Sequence, residues 1–167
     1  KDRARQNAMA VEQAESPLVQ RQAKHSGIPG TPAPAIAAMN KITIALLHGY
    51  TVGTGLLMSL ACDIRIAAEG ARLGVSEVRL GFMAGSGGTQ RLPRKMSKGM
   101  AAYMIYTGLP IDAETALKHG HVIEVVEVAR TTERAIEIAK VIASRAPLAV
   151  CAAKKCLNDT YESGLAS

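Results

Sequence analysis

The chain is poor in aromatic residues: it has no tryptophan, one phenylalanine and four tyrosines among 167 residues. Proteins that hold single-stranded nucleic acid stack its bases on such rings, and the lysines and arginines form no dense tract, so the net charge of +6 does not read as a nucleic-acid surface. A binding partner of that class is not expected. No apolar run is long enough to span a bilayer, so no membrane partner is expected either. The three cysteines, Cys62, Cys151 and Cys156, are an odd number without metal-ligand spacing. They point to reduced thiols in the cytoplasm or a mitochondrial matrix, with packing as their role and no metal. What is present is ordinary for a globular domain: 48% hydrophobic and 20% charged residues, and a pI near 9.4 that suits an anionic ligand or surface.

The informative stretch is residues 41–92. Residues 42–47 are β-branched and apolar on both faces, as in a buried strand, and they end at His48-Gly49. Gly49, Gly53 and Gly55 then allow a sharp turn and close backbone approach, and residues 54–61 read as a short apolar helix. The first N–H groups of a helix lack partners and carry partial positive charge, which suits an oxyanion. Further on, Glu77 is an isolated carboxylate among Val75, Val78, Leu80 and Phe82. A carboxylate in apolar surroundings is well placed to take up and return a proton. The bland alternatives are a turn that needs glycine for shape alone and a surface glutamate paired with Arg72 or Arg79.

Elsewhere, residues 1–24 read as a polar helix with a sparse apolar face, kinked or restarted at Pro17, and residues 26–34 as a proline-rich loop. Residues 35–40 suggest a brief helix, and 63–67 and 72–75 short strands flanking Glu69-Gly70. Gly85 to Gly88 open a helix with Thr89 as a plausible cap, followed by the cations Arg91, Arg94, Lys95 and Lys98. An apolar helix over 101–106 stops at Gly108. Asp112 caps a helix over 113–119, residues 122–128 form a strand, 132–144 an amphipathic helix, and Pro147 starts the last helix. His119 and His121 lack a third partner for a metal and read as packing or surface residues.

Gly49-x-x-x-Gly53-x-Gly55, then Ala61-Cys62-Asp63-Ile64-Arg65, Glu77-Val78-x-Leu80-Gly81 and Gly87-Gly88-Thr89-Gln90-Arg91-Leu92-Pro93-Arg94 resemble, in order and spacing, the enoyl-CoA hydratase/isomerase (crotonase) family. Weaker likeness continues through Thr107-Gly108, residues 113–120 and Ala152-Ala153-Lys154, covering roughly residues 37–160. The resemblance implies an α/β spiral of strand-strand-helix turns with C-terminal helices. On that basis residues 1–110 are expected to form a partial core, and 111–167 a helical C-terminal region. The opening Lys1-Asp2-Arg3 resembles the residues just after the Ala-Asp-[Ile/Leu] of the family's first active-site loop, so preceding strands and a second oxyanion donor are expected to be missing from this sequence.

For function, the resemblance implies an acyl-CoA thioester as substrate, no cofactor beyond the coenzyme A it carries, and a homotrimer or dimer of trimers. It places the oxyanion donor at the N–H of Thr54, between Gly53 and Gly55, and one catalytic glutamate at Glu77. Leu57, Phe82 and Met83 would line an acyl pocket or belong to the core, and Lys1 would lie near the nucleotide of coenzyme A. Two departures matter. Leu57 stands where family hydratases carry their other glutamate, one turn beyond Thr54 on the same face; losing a positioned acid or base typically costs ~10²–10⁴-fold. Gly85 stands where dienoyl-CoA isomerases carry an aspartate. The reading is therefore an enzyme that stabilises an enolate and moves a proton with one glutamate, leaning to enoyl-CoA isomerisation. Alternatives are a hydratase, a weakened acyl-CoA binder or an RNA-binding relative.

Overall fold

The computed structural model describes residues 32–160. The helix expected over 1–24 and most of the loop over 26–34 lie outside them; the last residues of that loop are helical, since the first helix, α1, is Pro32–Ala37. Next come β1 (Ile44–Leu47), β2 (Tyr50–Val52), α2 (Thr54–Ser59), β3 (Ile64–Ala68) and β4 (Arg72–Gly74). After a 3-10 turn at Glu77–Leu80 come α3 (Gly88–Arg91), a 3-10 turn at Leu92–Arg94, α4 (Lys98–Thr107), β5 (Ile111–Asp112) and α5 (Ala113–Lys118). The chain closes with β6 (Val125–Val126), α6 (Thr131–Ala143) and α7 (Pro147–Asp159).

The strands form two three-stranded sheets, ordered β1-β3-β6 and β2-β4-β5. Each two-strand unit contributes one strand to each sheet. A glycine corner joins the two: Gly49 between β1 and β2, Gly70 between β3 and β4, both at positive φ that a Cβ would disfavour. Arg72 N–H donates to Gly49 O at 2.7 Å, which locks the second corner onto the first. β1 pairs with β3 and β2 with β4 in parallel, so successive units stack as turns of a spiral. Leu56, Leu57 and Leu60 of the α2 segment, Leu73, Val75, Leu92 and Met104 fill the core between these layers.

Local signals account for several boundaries. Asp112 caps α5, its carboxylate accepting from Thr115 N–H at 2.8 Å. Gly108 ends α4 in the left-handed conformation, and Pro147 occupies the first turn of α7. Thr89 is not the cap expected for α3; the cap is Gly87, left-handed and without a side-chain hydrogen bond. Residues 50–52, expected as turn, pair with β4 as an edge strand.

The C-terminal helix is tied back by one ion pair. Lys154, 8% exposed, donates to Asp63 Oδ2 and to Lys41 O, each at 2.8 Å. The same Oδ2 accepts from Thr43 N–H and Thr43 Oγ1. Burial alone would raise the Asp63 pKa, but Lys154 and Thr43 outweigh it and hold the carboxyl below its ordinary range. Lys154→Met leaves the carboxylate to Thr43 alone and should cost about 2 kcal/mol. Urea melts at neutral pH check this; an unchanged midpoint would mean that α7 is held by its apolar contacts alone.

Candidate active site

Parallel pairing in register builds the site. Val52 lies beside Gly74, so β2 and β4 end side by side, and the turns after them, Gly53-Thr54 and Ser76-Glu77, emerge at the same end. Gly53 N–H donates to Gly74 O at 3.0 Å, which fixes the first turn to the second strand. Gly53 has φ +54 and ψ −128 and caps α2. A Cβ built on it would sit 3.7 Å from Glu77 Oε1, so the carboxylate lies on the side of Gly53 that a side chain would occupy.

The first intrahelical hydrogen bond of α2 is Leu57 N–H to Gly53 O at 3.0 Å. Among the described residues no acceptor is found for the N–H of Thr54, and it is not consumed by a strand ladder. Thr54 and Gly55 are themselves exposed. Glu77 is 7% exposed, and its Oε2 is buried without a hydrogen-bond partner among the described residues. The surface-glutamate alternative is thereby excluded: Arg72 faces Asp112 at 3.9 Å, and Arg79 packs against Gly108. The chemistry these groups offer is a buried carboxylate with an unpartnered oxygen and, on the turn next to it, an N–H without an acceptor among the described residues.

The other anticipated residues fall differently. Leu57 is a core residue: it is 3% exposed and so close to α3 that a Cβ on Gly88 would come within 2.5 Å of its Cδ2. Phe82 and Met83 are not core, at 55% and 69% exposure, because the 3-10 turn ends at left-handed Gly81 and directs the chain outward. Gly85 is exposed in the turn before α3, and Ser86 beside it holds a positive φ of 49°. Lys1 lies outside the described residues.

The sequence did not reveal how α2 is held at its other end. Arg65, 6% exposed, donates from Nη1 to the carbonyls of Ser59 and Cys62 and from Nε to His121 O at 2.8 Å. It thus satisfies carbonyls where α2 ends and anchors the helix that presents the donor. His119 is held by Ser97 Oγ at 2.9 Å. Cys62, Cys151 and Cys156 are all free thiols. Among the described residues no helix is long and apolar enough to cross a membrane.

Two clefts lie away from the Gly53-Thr54 turn. One of about 500 Å³ runs between α6, α7 and the start of β3, and one of about 390 Å³ between α3 and α7; neither includes Thr54, Glu77, Phe82 or Met83.

Comparison with known proteins bears on these features. The family model for enoyl-CoA hydratase/isomerase matches residues 13–167. The 2,3-dehydroadipyl-CoA hydratase of Escherichia coli (strain K12) is 41% identical over 130 residues, 78% of this chain and 51% of that protein. The (E)-benzylidenesuccinyl-CoA hydratase of Thauera aromatica is 46% identical over 117 residues, 70% of this chain and 46% of that protein. The crystal structure of an enoyl-CoA hydratase from Bacillus anthracis superposes with a TM-score of 0.78 at 44% identity, covering 81% of this chain and 52% of that one. The chain thus spans about half the length of the curated relatives it matches. Its stacked strand-strand-helix units are part of the α/β crotonase fold. With most of its length matched by the family model, the chain belongs to the enoyl-CoA hydratase/isomerase (crotonase) family.

Proposed function

We propose that the protein acts on an acyl-CoA thioester, stabilising an enolate at the N–H of Thr54 and moving a proton with Glu77. The observation that carries this reading is the buried Glu77 carboxylate beside Gly53, the residue that caps α2 just before Thr54. With a 3-enoyl thioester, Glu77 removes a proton from C2 and the charge passes to the thioester oxygen at Thr54 N–H. The same proton then returns at C4, which leaves the double bond between C2 and C3. Glu77 ends as it began, so one carboxylate suffices.

Hydration is the second reading, supported by the names of the relatives, most of which are hydratases. It asks for a group that positions water opposite Glu77. Leu57, buried close to Gly88, offers none. The experiment is a comparison of 3-enoyl-CoA isomerisation with crotonyl-CoA hydration, products identified by mass, in the wild type and in Leu57→Glu. The substitution is expected to raise the hydration-to-isomerisation ratio at least tenfold, a fraction of what a positioned carboxylate contributes. Folding and CoA-thioester binding must be checked first, because a carboxylate at a core position is costly. Wild-type hydration as fast as that of two-glutamate relatives would overturn the preference for isomerisation.

A trimer or paired trimers belong to the same reading. The exposed side chains of Leu80, Phe82, Met83 and Tyr106 support burial against another subunit or an acyl chain. Sedimentation velocity giving a monomer at working concentrations would remove the assembly from it.

A further inference from the structure

Away from the Thr54–Glu77 turn, the two large clefts share Asp63, Arg94, Lys95, Leu157 and Asn158 and so form one continuous trough. Its walls, among the described residues, carry several cations. Arg91 lines one cleft and Arg145 the other, Arg94 and Lys95 stand between them, and among the described residues Asp63 supplies the one carboxylate. That carboxylate is already committed to Thr43 and Lys154. Arg91 and Lys95 are partly buried, yet the side chain of neither makes a hydrogen bond or ion pair among the described residues. Burial pulls the pKa of both below ordinary values. Arg94 adds to this at Arg91; at Lys95, Arg65 and Arg91 add to it and Asp63 opposes them. Partly buried cations such as Arg91 and Lys95, without a direct hydrogen bond or ion pair among the described residues, cost free energy that an anion in contact with them would recover. Beside them, Ile42, Ile64, Val141 and Val150 make an apolar wall along the larger cleft.

We propose that this trough binds a single-chain amphiphile with an anionic head, the head at Arg91 and Lys95 and the tail along the apolar wall towards α6. The clefts are each of the size that holds a small ligand. The shared chemistry is an anionic head on an alkyl chain, which a fatty carboxylate and an alkyl phosphate both supply. This site is separate from the one proposed for the thioester and does not depend on it.

The test is isothermal titration of the protein with laurate and with dodecyl phosphate, below micelle formation, with dodecanol as the uncharged control. Saturable binding of one ligand per chain is expected for one or both anions, and the stronger of the two identifies the head. Lys95→Met and Arg91→Met should each weaken it about tenfold, as the loss of one charge-assisted contact does, with melting temperatures equal to or above that of the wild type. Saturating crotonyl-CoA should leave it in place. The proposal is overturned if no anion binds saturably, if dodecanol binds as well as laurate, if both methionine variants bind like the wild type, or if crotonyl-CoA displaces the ligand. Capture of an acidic helical peptide by the trough with no amphiphile binding would likewise overturn it, and would assign the surface to a polypeptide.

Discussion

Glu77→Gln is expected to retain CoA-thioester binding close to that of the wild type while turnover falls by ~10²–10⁴-fold. Glutamine has nearly the shape of glutamate, so the packing against the Gly53-Thr54 turn and the N–H of Thr54 are left as they are. What disappears is the ability to accept and return a proton. The loss should be in kcat, not KM, because the interaction removed is made in the transition state. Among the described residues position 57 offers no substitute, since Leu57 is an apolar side chain buried close to Gly88. Equal turnover in variant and wild type would show that another group carries the proton. A fall in binding with turnover preserved would instead make Glu77 a structural residue of the turn.

The features that sequence reasoning reached are those whose causes are local. Gly108 stops α4 and Asp112 caps α5 because a left-handed glycine and a short carboxylate act within three residues of themselves. The placement of Glu77 near the Gly53 turn was legible only through the register of two glycine-rich motifs. In the fold it results from the parallel pairing of β2 with β4, which no local pattern announces. β2 and β5 have three and two residues, too few for any alternation to show, and exist because their neighbours pair with them. The same limit hid the tie between Lys154 and Asp63, which are 91 positions apart, and the role of Arg65, whose partners are backbone carbonyls without a sequence signature. The basic run from Arg91 was visible as charge, but its placement against α7 depends on the packing of the last helix.

Acid should destabilise the protein well before its carboxylates titrate, and His121 is the reason. Its side chain is fully buried, both ring nitrogens lack a partner among the described residues, and its backbone is fixed by Ala116 O and by Arg65. Burial, with a smaller contribution from the nearby Arg65 cation, lowers its pKa to about 3. In the unfolded chain a histidine titrates near 6.5. Between these values the unfolded state binds a proton that the folded state refuses, so stability falls as pH falls from about 6.5 towards 3. The slope approaches about 1.4 kcal/mol per pH unit, on the order of 3 kcal/mol lost by pH 4. Asp63 does not account for this window: its stabilising contribution is fully present above the ordinary carboxylate range and, because its pKa is depressed, is lost only as pH falls below that range. His121→Leu, of similar size and without polar atoms, should flatten the slope and leave stability at neutral pH equal or higher, since two unsatisfied nitrogens are removed. Urea melts of both proteins at pH 7, 6, 5 and about 4 measure the difference directly; a variant that loses stability with acid as steeply as the wild type would place the proton elsewhere.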